Sequence, residues 1–305
     1  MEGSTAMTLE LRNVTKKFGA FTAVNDISLT IPKGEMFGML GANGAGKTTT
    51  FRMILGLIDQ TDGKISWKGN KIGYQSSHLV GYLPEERGLY PKMKVSDQLV
   101  YLGRLRGMKK GQVLIELKKW LDRFNIPDYI DKKIDELSKG NQQKIQFIAS
   151  VIHQPELLIL DEPFSGLDPV NVEQLKKAVL DLKNEGTTIV FSSHRMEHVE
   201  ELCEYLCILQ KGEPVVNGPL KEVKRSYGKK KVTVEAEFEL SYLQDIEGVT
   251  SCTLYSGGAR LVITREEVAD DVFKALSGRG SVRKFVLEEP SLNDIFIEKV
   301  GASYE

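Results

Sequence analysis

Two groups of residues in this sequence have the types and spacing to do chemistry. The first is Gly41-Ala42-Asn43-Gly44-Ala45-Gly46-Lys47-Thr48, with Thr49 behind it, which fits G-x-x-x-x-G-K-[ST] in full. Glycines there let successive backbone N–H groups curl inward and face phosphate oxygens. The helix that the motif opens adds its partial positive end. In that setting Lys47 reaches the β- and γ-phosphates of a nucleoside triphosphate, and the Thr48 hydroxyl ligates Mg²⁺. The second group is Asp161-Glu162, delivered by the apolar run Leu157-Leu158-Ile159-Leu160. Asp161 is placed to hold Mg²⁺ or its waters. Glu162 is free to act as general base on an attacking water, a role worth roughly 10²–10⁴-fold in rate. An Asp-Glu pair on a loop means little alone; together the two groups read as a site for ATP and Mg²⁺.

Each group needs an element to aim it. Met36-Phe37-Gly38-Met39-Leu40 is a short apolar run typical of a strand buried on both faces, and Lys47 to Leu57 has helical character. Ahead of it, Leu9, Leu11 and Val14 nearly alternate, Ile27, Leu29 and Ile31 alternate strictly, and Pro32-Lys33-Gly34 marks a turn. Residues 63–83 read as β-rich through Ile65, Trp67, Ile72 and Leu79 to Leu83. From about 95 to 152 the pattern is helical, with Val113, Leu114, Leu117, Leu121 and Phe124 on a 3.6 period. Leu157–Leu160 and Thr187 to Phe191 are further buried strands, with a helix over 170–184 between them. Strand–helix alternation with apolar strands predicts an α/β fold whose parallel core sheet is covered by helices.

The basic stretch Lys221 to Lys231 reads as a solvated linker, with anionic lipid headgroups as the alternative partner. Beyond it, Val232, Val234, Ala236, Phe238 and Leu240 alternate with polar residues, and strand, helix and strand patterns follow at Leu261 to Ile263, Val268 to Leu276 and Val282 to Leu287. The expected organisation is a main domain over 7–225, with a helical subdomain at about 88–152, and a small α+β domain over 229–305 assigned to dimer contacts or regulation. Residues 1–6 read as a lead ahead of the first strand.

Composition narrows the function classes. The 305 residues carry a net charge of −1, which gives no electrostatic reason to expect nucleic acid as a partner. Cys203, Cys207 and Cys252 form no disulfide framework, as in a reducing, cytosolic compartment. Cys203 and Cys207 are four apart, the spacing of one helix face; two thiols fall short of a structural zinc site, so they read as packed helix residues. No run approaches the 18 or more apolar residues of a spanning helix, and no secretory signal is expected, so another polypeptide must supply any membrane-spanning part.

Leu137-Ser138-Lys139-Gly140-Asn141-Gln142-Gln143-Lys144, some twenty residues ahead of the acid pair, resembles the LSGGQ signature of the ATP-binding-cassette family. Ser165-Gly166-Leu167-Asp168 resembles that family's D-loop and His194 its switch histidine. Phe18 falls where the family places a ring against adenine. The resemblance covers roughly 8–225 and implies a P-loop NTPase cassette with an N-terminal antiparallel β part and a helical insert. It implies that two copies, as a homodimer, clamp ATP head to tail, each nucleotide lying between one copy's phosphate loop and the other's Ser138, Gly140 and Asn141. His194 would polarise the γ-phosphate and orient Glu162. Three positions depart from the common pattern: Lys139 and Asn141 stand in the signature in place of its glycine and glutamine, and Glu85 stands where the family has a glutamine at the metal.

Gly81 to Pro91 and Glu289 to Phe296 resemble the sodium-efflux and drug-efflux exporter ATPases. That implies a separately encoded multi-spanning permease contacted through Glu85 to Met93, and a place on the inner face of the cell membrane. The alternative is a soluble ATPase of the same type acting on ribosomes or chromosomes. Against it, the Lys47–Asp161 interval has no room for the long coiled coil of the chromosome type, and one cassette is present where ribosome types hold two.

Overall fold

A computed structural model describes residues 9–86 and 88–301. The expected lead at residues 1–6, and Arg87 within the exporter-like segment, lie outside the described residues. The chain divides into two compact units, Met1–Gly218 and Pro219–Glu305.

The first unit opens with β1 (Leu9–Phe18), β2 (Phe21–Ile31), β3 (Met36–Leu40), α1 (Lys47–Ile54), β4 (Asp62–Trp67) and β5 (Val80–Leu83). Helices α2 (Val95–Leu105), α3 (Lys110–Arg123) and α4 (Lys139–Val151) form the insert. Then come β6 (Leu157–Leu160), α5 (Pro169–Asn184), β7 (Thr188–Ser193), α6 (Met196–Leu202), β8 (Tyr205–Gln210) and β9 (Glu213–Pro219).

Strands β2, β1 and β4 make an antiparallel sheet, with Leu9 opposite Ile31 and Leu11 opposite Leu29. The imperfect alternation of β1 has a local cause. The register slips between Leu11 and Val14, where Asn13 takes a left-handed φ of 49°, so both apolar residues still face inward. The other sheet has the order β5-β6-β7-β3-β8-β9. Its pairs β5–β6, β6–β7, β7–β3 and β3–β8 are parallel. Every residue of β3, β6 and β7 is buried, which is why β3 and β6 read as unbroken apolar runs. The strand order places β6, β7 and β3 side by side, so the loops leaving their C-terminal ends open together.

In the insert, Val113, Leu117, Trp120 and Leu121 form the buried stripe of α3. The rings of Trp120, Phe124 and Phe147 meet at 5.7–6.1 Å and join α3 to α4. Ile72 is buried but lies in no strand: between β4 and β5 the chain passes through a 3₁₀ segment, Tyr74–Leu79. Cys203 and Cys207 do not share a helix face. Cys203 ends α6 and Cys207 lies within β8, where the run Leu206–Leu209 is buried against β3. Both thiols are buried as expected, and burial raises the Cys207 thiol to about 12.

The second unit contains α7 (Leu220–Ser226), β10 (Lys230–Ala236), β11 (Val249–Tyr255), β12 (Gly258–Ile263), α8 (Glu267–Leu276), β13 (Val282–Glu288) and α9 (Leu292–Val300). Its antiparallel sheet runs β11-β12-β10-β13. Val232, Val234, Leu261 and Ile263 form a core with Val268, Val272 and Leu276 of α8. The basic stretch 221–231 is not a bare linker. Val223 is buried and anchors it as helix α7, and Lys230 and Lys231 already belong to β10. Among the described residues no helix is long and apolar enough to cross a membrane.

Candidate active site

The phosphate-loop motif lies between β3 and α1. Gly46 caps α1 with φ 106°, and a Cβ on it would come within 2.8 Å of the Ala23 carbonyl oxygen, so glycine is required on both counts. Lys47 follows at once and is buried, its Nζ donating to the Gly41 and Ala42 carbonyls at 2.7 and 3.2 Å. Burial lowers the Lys47 pKa, against the opposing pull of Glu162, Asp161 and Glu85. Thr48 donates from Oγ1 to Oδ2 of Asp161 at 2.8 Å, which joins the two sequence motifs across 113 residues.

A cavity of about 420 Å³ collects Asn43, Gly44, Ala45, Gly46, Lys47, Thr48 and Thr49 with Glu85, Asp161 and Glu162. Phe21 and Ala23 complete its wall. Strand β7 supplies the residues behind it. His194, one residue past β7, places Nδ1 at 2.8 Å from Oε2 of Glu162. The Glu162 backbone is left-handed, with φ 49°, a sparsely populated conformation for a side chain of this kind. Burial pushes its carboxyl above the usual range, against the pull of His194 and Lys47. Its other oxygen, Oε1, is buried with no hydrogen-bond partner among the described residues. A carboxyl fixed through one oxygen and uncommitted at the other can take a proton from a water placed beside it.

Helix α4 reaches this region from the side. Gln143 donates to the carbonyl of Pro163, next to Glu162, at 3.2 Å. Gln146 donates to the carbonyls of Pro84 and Glu86, on either side of Glu85, at 3.3 and 3.0 Å. The same helix begins at the signature. Ser138 is its N-cap, accepting from the Asn141 N–H at 3.3 Å, and Asn141 donates from Nδ2 to the Tyr129 hydroxyl at 3.1 Å. Gly140 leaves room for Asn171 of α5; a Cβ would stand 2.5 Å from its amide nitrogen. Asn171 is in turn held by the Asp168 carboxylate through its backbone N–H at 3.0 Å.

The cavity of a single chain therefore gathers the loop residues and the three acids, while Ser138, Gly140 and Asn141 do not line it. Gly41 lies at the foot of the loop, where its carbonyl receives Lys47. Phe18 does not line the cavity either, with Lys16 Nζ 4.9 Å from its ring centre; its partner across the hairpin, Phe21, reaches the wall, and both rings are exposed. Sequence reasoning passed over Phe21, Gln143, Gln146 and Ser192. For Gln146 a signal was present, a buried polar residue between Ile145 and Phe147 on an apolar helix face.

Residues 24–165 match the family model described as ABC transporter, and residues 218–300 match that described as ATP-binding protein DrrA1-3-like, C-terminal domain. The chain is 64% identical to the ABC transporter ATP-binding protein YhaQ of Bacillus subtilis strain 168, over 97% of this chain and all of that protein. The chain belongs to the ABC transporter family. Like the ATP-binding subunits of that family, it binds and hydrolyses ATP. This ABC subunit is also 30% identical to the linearmycin resistance ATP-binding protein LnrL of the same Bacillus strain, over 96% of this chain and 98% of that protein. It is 32% identical to the Nod factor export ATP-binding protein I of Cupriavidus metallidurans strain CH34, over 96% of this chain and 97% of that protein.

Proposed function

We propose that this chain is the motor of a membrane exporter, working as a head-to-tail pair beneath a separately encoded multi-spanning permease on the inner face of the cell membrane. The observation that carries the chemistry is the Glu162 carboxyl, held by His194 through Oε2 and, among the described residues, unpartnered at Oε1. In this reading Lys47 and the loop N–H groups bind the β- and γ-phosphates, and Glu162 removes the proton from the attacking water. His194 orients Glu162 and faces the transferred phosphate.

The Thr48 hydroxyl and the Asp161 carboxylate, in contact at 2.8 Å beside the loop, suit Mg²⁺, which favours oxygen ligands and keeps several waters and the substrate phosphates. Glu85 stands in the same cavity as a third oxygen donor. When bound, the ion neutralises charge that develops on the phosphates. The signature residues Ser138, Gly140 and Asn141 lie outside one chain's cavity, which supports a second copy supplying them.

The exporter reading is supported by matches that run through both units to relatives named for resistance and for export. Those names favour a cargo of drug type over sodium ion. The experiment is to tag the chain in its native cell, solubilise the membranes gently and identify what co-purifies. A stoichiometric multi-spanning protein is expected. A chain found wholly in the soluble fraction with ribosomal or DNA-bound partners overturns the exporter and leaves the ATPase. Glu162→Gln is expected to keep ATP binding, lose at least about tenfold in turnover and accumulate as dimer by light scattering; retained turnover overturns the role of Glu162.

A further inference from the structure

We infer that Ser192 is a positioning residue for ATP hydrolysis, its hydroxyl fixing both the Asp161 carboxylate and the backbone from which Glu162 projects. The inference rests on the roles proposed for those two acids and is independent of the exporter reading.

Ser192 has no solvent exposure and lies in β7, between the strand that carries the acids and the strand that carries the phosphate loop. Its Oγ donates to Oδ1 of Asp161 at 2.6 Å and accepts from the Glu162 N–H at 2.9 Å. Asp161 is thus held at both oxygens, by Ser192 on one side and by Thr48 on the other. Rotation of that carboxylate breaks one bond or the other. The bond to Glu162 acts on a residue at φ 49°, a conformation that persists only when its surroundings over-determine it. Removing the hydroxyl leaves a buried N–H and a buried carboxylate oxygen each short of a partner. The chain at Glu162 then relaxes toward an ordinary φ and carries the carboxyl away from the water it must reach. A misplacement of about 1 Å costs on the order of 10²-fold in rate. Ser193 is a built-in comparison: it too is buried, but among the described residues its Oγ meets the Arg195 N–H, at 2.9 Å, and neither acid.

The test measures steady-state ATPase kinetics for the wild type, S192A, S192C, S193A and E162Q. Alongside, it measures binding of fluorescent trinitrophenyl-ATP with EDTA and with Mg²⁺. For S192A, kcat is expected to fall about 10- to 100-fold with KM within about threefold. Binding in EDTA should stay within about twofold, while the gain in affinity on adding Mg²⁺ shrinks. S192C keeps the volume and loses the strong donor, so it should follow S192A; S193A should stay within about threefold of wild type. Wild-type turnover in S192C would mean that packing alone matters and would overturn the inference. So would S192A within threefold of wild type, equal losses in S192A and S193A, or a loss of binding in EDTA. If S192A fails to fold by thermal melting, S192C decides. Turnover retained in E162Q removes the proposed base, whereas an inactive E162Q beside an active S192A removes only the role of Ser192.

Discussion

Two of the three sheets of this molecule handle polar residues in opposite ways. In the parallel sheet the strands that flank the site are buried along their whole length, and their polar atoms gather at the C-terminal ends: Asp161 and Glu162 after β6, Ser192 and His194 at the end of β7. Several sit out of water, one carboxylate oxygen has no partner among the described residues and one backbone angle is left-handed. In the antiparallel sheet of the second unit one face is apolar, and several of the charges around it are paired. Lys231 meets Asp294 and Lys229 meets Glu298, each at 2.6 Å, and Lys230 meets Glu266 at 2.9 Å. Chemistry belongs to the first arrangement because reactive atoms must be left incompletely satisfied, and only a heavily buried scaffold holds them so.

The largest effect expected is on the quiet side of that comparison. Leu261→Ala deletes a fully buried side chain in the second core and should cost the second unit about 2–5 kcal/mol in denaturant unfolding. Nucleotide affinity unchanged in the same variant would sharpen the contrast; a parallel loss of affinity would break it. Next comes His153, whose Nε2 faces the Val80 carbonyl at 3.2 Å and whose pKa burial lowers to about 4. The unfolded chain takes up this proton near pH 6.5, so stability is complete above that pH and falls as pH drops toward 4. The loss is on the order of 3 kcal/mol, read as a fall in Tm. His153→Gln should flatten the Tm-versus-pH curve over that window, and an unchanged slope would assign the acid sensitivity elsewhere. Lys47→Ala should weaken ATP binding by about 10- to 100-fold in a filter assay, since it removes a charged donor to phosphate; unchanged binding would end its proposed role. Smallest of all, Lys231→Met breaks a partly exposed pair and should cost no more than about 1 kcal/mol. A cost several times larger would show that the second unit, too, depends on its charges.

Legibility in the sequence followed the same division. The phosphate loop, the acid pair and the strands that carry them were readable because each is local: glycine spacing, an apolar run, two acids at its end. Strands β3, β5, β6 and β7 of the parallel sheet were readable for the same reason. Strands β8, β9 and β11 were not. Tyr205 to Gln210 mixes aromatic, thiol and aliphatic residues without alternation, and β11 is an exposed edge with a weak pattern. Ser192 carries no local signal of function. Its two bonds cross 31 and 30 residues of sequence, and only the strand order brings them together. Phe21 at the cavity wall was passed over for a similar reason, since its pairing with Phe18 across the hairpin is not visible in the spacing.

Helix α4 begins at Ser138 and Gly140, and three and six residues beyond Gly140 its glutamines grip the loops of the chain's own pocket. In the proposed pair its first turn rests on the neighbour's nucleotide. In such a pair one helix would touch two pockets, its first turn at the neighbour's and Gln143 and Gln146 at its own. Coupling between the two ATP molecules of that pair would then need no relay of small adjustments through the core; a single helix with two tenants would carry it.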